Sequence, residues 1–155
     1  MNKYQKISFI GFLLVSIGLG ACGILYLLAN KIMPFHAVAM GSSWEKLTPG
    51  IQIMSLNFMK AEGTGFLTTS IAILFLLFKP FRKGEAWSSW AILVIALNEI
   101  ILILFRIIDV NTKTPARLPI IPFIIMAGIV LISFTLYFIT NQKNKELKHV
   151  YSRTN

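Results

Sequence analysis

Four stretches of the chain are strongly apolar and carry no charge: Ser8 to Ala29, Gly65 to Phe78, Trp87 to Leu97 and Pro119 to Thr140. A helix that crosses a bilayer needs about 20 mostly apolar residues. The pattern therefore predicts an all-α, polytopic four-transmembrane-helix bundle, one domain over residues 1–155, with helices at about 7–29, 49–78, 87–108 and 119–140. The second helix is drawn longer than its uncharged core because Thr48-Pro49 reads as an N-cap followed by proline at the first helical position. Pro119 and Pro122 fall in the first turn of the fourth helix, where a missing backbone donor matters little.

The intervening segments follow. Residues Asn30 to Leu47 carry Phe35, His36, Met40 and Trp44, which suits an element lying on the outer membrane surface. Lys79 to Ala86 is a short basic turn, and Trp87 and Trp90 beyond it read as interfacial anchors. Asp109 to Leu118 is predicted as a polar outer loop broken by Pro115. Residues 141–155 form a polar, basic tail, expected to be mobile or interfacial.

Composition agrees with this reading. Of 155 residues 55% are hydrophobic, the mean hydropathy is +0.71, and soluble domains are about half apolar. The net charge of +9 would suggest nucleic acid in a soluble protein, but here the basic residues flank apolar runs: Lys3 and Lys6; Lys79, Arg82 and Lys83; Lys143, Lys145, Lys148 and Arg153. An excess of Lys and Arg marks cytoplasmic segments. The expected location is the inner (cytoplasmic) membrane with both termini cytoplasmic, and nucleic acid is excluded as a partner.

Cys22 is the single cysteine, which excludes an intrachain disulfide and any CxxC redox or zinc motif. It ends the run Leu19-Gly20-Ala21-Cys22, which resembles a bacterial lipobox and implies lipidation of Cys22 after cleavage. The apolar run continues through Gly23 to Ala29, however, long enough to span, so an uncleaved first helix is expected and lipidation at Cys22 is the alternative. Within that helix Ser16 and Gly20 form a small-xxx-small pair suited to close helix packing.

The four-helix layout, the Gly-rich start of the second helix and the connection Phe81-Arg82-Lys83-Gly84-Glu85-x-Trp87-x-x-Trp90 resemble several small bacterial four-helix membrane families of uncharacterised function. The resemblance implies the fold and brings no activity with it. Small multidrug exporters also have four helices, but their essential carboxylate lies in the first helix, and the first helix here has no charge.

Ionisable side chains within spans are expensive and mark functional sites or structural networks. Helix 3 carries Asn98, Glu99 and Arg106. At 1.5 Å per residue Glu99 stands roughly 18 Å and Arg106 roughly 28 Å from Trp87, and a spacing of seven puts both on one face. Counted back from Phe78, Glu62 lies at roughly 24 Å and Lys60 at roughly 27 Å, so Glu62 and Arg106 are expected to pair, with Glu99 deeper. Ser55, Glu62 and Thr69 share one stripe of helix 2, Gly63 and Gly65 admit close approach, and His36 is placed to join from the loop.

Glu62, Glu99, Arg106, Asn98, Asp109 and Lys60 are thus the candidate ligand-binding residues. Two readings stand: an ion-pair network that fixes helix order, and a polar pocket in the outer half of the membrane. The pocket would bind a lipid-like or amphipathic ligand or a partner helix. No nucleophile beside a base, no metal-ligand spacing and no Gly-rich phosphate loop appears, so no catalytic residue, metal or cofactor is assigned. Membrane lipids and a homo-oligomer or membrane-protein partner are the expected partners. A proton-coupled transporter and a structural subunit of a membrane complex are the alternatives.

Overall fold

The computed structural model describes residues 2–154, with side chains for residues 2–142. Its architecture is all-α: α1 (Lys3–Leu28), the short α2 (Pro34–Ala39), α3 (Pro49–Leu76), α4 (Ala86–Lys113) and α5 (Ile121–Thr154), with no strand among the described residues. Four of these helices are long and apolar enough to cross a membrane. α1 packs on α3 and α5, and α4 closes the ring against the same two helices. Successive long helices are antiparallel: along α1 and the segment from α3 to Phe81, Phe12 meets Phe81 near one end and Gly23 meets Gly63 towards the other, and the connections on either side of α4 are short. One end of the bundle therefore carries the start of α1 and the α3–α4 turn, and the other carries α2 and the α4–α5 connection.

Local chemistry sets the helix ends, and it moves several of them from their expected positions. α1 starts one turn before residue 7 because Asn2 and Gln5 form a capping box: the Gln5 amide donates to Asn2 Oδ1 at 2.9 Å, and the Asn2 amide donates to Gln5 Oε1 at 3.0 Å. Thr48 does occupy the N-cap of α3 with Pro49 after it, though its side chain makes no capping bond. At the far end Pro80 brings no N–H to the helical ladder, which widens into a π turn over Leu77–Phe81. Gly84, at φ 80°, then ends the helix. The Gly84 amide donates to Phe81 O and the Glu85 amide to Pro80 O, a Schellman arrangement that satisfies the last carbonyls.

α4 runs to Lys113, so residues 109–113, expected in a loop, are helical. An Asp109–Lys113 ion pair at 2.6 Å spans one turn there. The connection that follows is held by Asn111, whose carboxamide accepts from the Leu118 amide at 2.7 Å and donates to Leu118 O at 3.2 Å. α5 begins at Ile121, leaving Pro119 outside the helix and Pro122 in its first turn. Its backbone continues past Gln142 as helix to Thr154. The side chains of the basic tail lie outside the described residues, and with them its expected mobility or interfacial placement.

The core is a column of buried side chains: Phe12, Val15 and Leu19 from α1, Phe66 and Ile73 from α3, Ile92, Ala96 and Ile100 from α4, Phe123, Val130 and Tyr137 from α5. α1 and α3 approach most closely. A Cβ on Gly23 would lie 2.8 Å from Gly63 O, and one on Gly63 would lie 2.8 Å from Tyr26 Cβ. Deeper along the same seam Ser16 Oγ donates to Ser70 O at 2.9 Å and Ser70 Oγ donates to Ser16 O at 2.8 Å. Each buried hydroxyl thus finds its partner across the helix pair, where lipid offers none.

Candidate functional site

At the α2 end the helices splay around a cavity of about 350 Å³. Its walls come from five helices: Tyr26 of α1, His36 of α2, Ser55, Met59 and Glu62 of α3, Ile103 and Arg106 of α4, and Phe123 of α5. The long α3 is responsible for the polar part, because its three turns before Gly65 carry Ser55 and Glu62 onto one face, seven residues apart.

Arg106 of α4 donates through Nη1 to Glu62 Oε2, forming the ion pair that the depth count expects. Glu62 is the more enclosed partner, its side chain 21% exposed against 54% for Arg106. The guanidinium has five donors in a fixed fork, and its bond to Glu62 occupies one. The remainder of the wall is apolar or aromatic, which is the composition of sites that hold small organic ligands, and the volume lies at the lower end of their range of about 300–1,000 Å³.

α2 forms one side of this chamber. Pro34 at its first position starts the helix, and its rings pack inward: His36 lies 6.1 Å from Tyr26 and 4.6 Å from Phe35, centroid to centroid, both edge to face. Burial in this apolar setting pushes the His36 imidazole below its ordinary pKa, because the charged form loses hydration. The neighbouring loop is tied to α3 by Gln52, whose side-chain amide donates to Trp44 O at 2.8 Å, and is closed on itself by an exposed Lys31–Glu45 pair at 2.9 Å.

The remaining candidates are placed differently. Glu99 does not line the cavity; it accepts a hydrogen bond from Thr69 Oγ1 at 3.5 Å, and its carboxylate lies 3.6 Å from where a Gly65 Cβ would sit. Asp109 is engaged with Lys113. Lys60 is half-buried on α3 and outside the lining, and Asn98 is exposed on the outer face of α4. The structure therefore brings Glu62, Arg106, Ser55 and His36 together and leaves Lys60, Asn98, Glu99 and Asp109 outside the cavity.

A second, smaller cavity of about 110 Å³ lies at the opposite end, between Ala86, Ser89 and Trp90 of α4 and Tyr137, Asn141 and Gln142 of α5. The Tyr137 hydroxyl is buried there with no hydrogen-bond partner among the described residues. Apart from His36, neither the rings that enclose the larger cavity nor Tyr137 figured among the sequence candidates. Tyr26, Phe58 and Phe123 read as ordinary apolar helix positions, and the aromatic cluster in residues 35–44 read as an element on the outer membrane surface. No group of His, Cys, Asp and Glu able to hold a metal ion occurs among the described residues. No family model, curated protein or solved structure matches the chain.

Proposed function

We propose that the protein is a membrane-embedded binding protein that holds a small amphipathic ligand in the cavity at the α2 end. Its apolar part lies against Tyr26, Phe58, Met59 and Phe123, and its polar head meets Arg106 and Glu62. The observation that carries this reading is the coincidence of an apolar chamber of about 350 Å³ with the Glu62–Arg106 pair on its wall. An ion pair serving only to fix helix order has no need of such a chamber beside it. The cavity end is assigned to the outer half of an inner-type membrane, because nine of the fifteen basic residues lie at the start of α1, at the α3–α4 turn or after the apolar part of α5 in sequence.

The test is native mass spectrometry of the gently solubilised protein beside three variants. Ser55→Trp fills the chamber, Arg106→Gln removes the head-group donor fork, and Glu99→Gln alters a carboxylate outside the lining. The expected result is a specific adduct on the wild type that is lost in Ser55→Trp, weakened in Arg106→Gln and kept in Glu99→Gln. A wild type without any adduct, or an adduct indifferent to Ser55→Trp, removes the proposal.

A further inference from the structure

The outer face of α4 carries one residue that a bilayer does not suit. Trp87, Ala91, Val94, Asn98, Ile101, Phe105 and Ile108 recur at alternating spacings of four and three, and all but the half-buried Ala91 are exposed. Asn98 stands at the middle of this otherwise apolar stripe. Eleven residues beyond Trp87 put it about 16 Å along the helix, near the midplane of a hydrocarbon core about 30 Å thick. Two exposed threonines in the spans satisfy themselves: Thr64 Oγ1 donates to Lys60 O and Thr135 Oγ1 to Leu131 O, each four residues back. A carboxamide has two donors and a two-lone-pair acceptor, and Asn98 makes no such bond among the described residues. Lipid cannot supply the missing partner.

Symmetry identifies what can. Copies of one chain inserted with one topology are related by a two-fold axis along the membrane normal, so that α4 of one copy runs parallel to α4 of the other. In a parallel pair built on a four-three stripe each residue faces its own equivalent. Asn98 then meets Asn98 of the second copy, and two carboxamides are mutually complementary, each donating one N–H and accepting one. No charged residue belongs to the stripe between Trp87 and Ile108, so nothing along it repels its own copy. We propose that the outer face of α4 is a homodimer interface, with the Asn98 side chains of two copies hydrogen-bonded to each other near the bilayer midplane. A single polar residue in an apolar seam is also what fixes register and copy number in helix pairs. The inference rests on the bundle lying in a bilayer and not on the cavity's ligand. Ile103, Arg106 and Ile107 line the cavity from α4 and lie off the stripe, so the chamber stays open in the dimer.

Energy transfer between donor- and acceptor-labelled copies in liposomes, followed as the lipid-to-protein ratio rises, tests this. Labels sit on Lys83→Cys, exposed in the α3–α4 turn, in a Cys22→Ser background. Asn98→Leu is expected to weaken dimerisation about three- to thirty-fold, the range for interhelical hydrogen bonds in membranes. Asn98→Gln is expected to keep it, and Thr135→Leu, on another helix, to leave it unchanged. In the same background Ile101→Cys should cross-link to its own equivalent, and the buried Ile103→Cys should not. Energy transfer no greater than random dilution predicts for the wild type, equal dissociation for wild type and Asn98→Leu, or cross-linking at position 103 in preference to 101 would each overturn the proposal.

Discussion

Single atoms decide the closest helix contact. Where α1 crosses α3, a Cβ on Gly23 would lie 2.8 Å from both Gly63 O and the Leu67 amide nitrogen. Both are backbone atoms, so relief requires the helices to separate. Gly23→Ala is accordingly expected to destabilise the fold by about 1–3 kcal/mol, the usual penalty for overpacking a tight interface. Gly128 in α5 has nothing within 4 Å of the same position. Gly128→Ala should be neutral or stabilising by up to about 1 kcal/mol, through helix propensity alone. Reversible unfolding in mixed micelles checks both. A Gly23→Ala protein that unfolds with the wild type would mean that α1 and α3 do not approach as closely as Gly23 and Gly63 allow.

At the scale of elements, the long apolar runs and the Thr48-Pro49 start were legible in the sequence because length and end signals are local. The four helices able to cross a membrane follow directly from them. Helix ends outside the apolar runs were less legible. Residues 109–113 are polar and looked like loop, yet a helix leaving a membrane can continue in water, and the Asp109–Lys113 pair supports the extra turn. The Glu62–Arg106 pair was readable from depth alone, since antiparallel helices with a fixed rise put equal depths side by side. The cavity was not, because its walls come from five helices far apart in sequence and the residues that shape it are ordinary aromatics.

α2 was the least predictable element, and its attachment has a pH dependence. His36 is packed between Tyr26 and Phe35 and shares the cavity with Glu62 and Arg106. Burial lowers its pKa in the folded protein, so the unfolded or detached state binds more protons. The contribution of the neutral imidazole is therefore fully present above its ordinary value of about 6.5 and is lost as pH falls through the folded value. Hydrogen exchange of the α2 amides should quicken between pH 7.5 and pH 5 in the wild type. In His36→Phe, which keeps the ring and removes the titration, the extra quickening should vanish once intrinsic exchange rates are divided out. Equal pH profiles for the two proteins would detach α2 from the ionisation of His36.

For the whole molecule, charge ranks the two ends of the bundle. Lys3, Lys6, Lys79, Arg82 and Lys83 stand at the end that holds the α3–α4 turn, and Lys143, Lys145, Lys148 and Arg153 follow the last apolar turn of α5 in sequence. The acidic residues there are Glu85 and Glu146. At the other end Lys31, Lys46, Lys60, Arg106, Lys113 and Arg117 are offset by Glu45, Glu62 and Asp109, and three of those cations are already paired. Acidic residues weigh little in orientation, so the signal is the nine cations of the first group against the six of the second, since basic residues close to spans are the ones that resist translocation. The α3–α4 turn should face the cytoplasm, and the cavity with α2 should face outward. In a Cys22→Ser background, Lys83→Cys should react with a membrane-impermeant thiol reagent only after the cells are opened. Pro115→Cys, on the exposed α4–α5 connection, should react in intact cells. The reverse labelling would turn the cavity to the cytoplasm and make its ligand an intracellular one, while leaving the α4 dimer seam untouched, because a two-fold axis along the membrane normal is indifferent to which side is up.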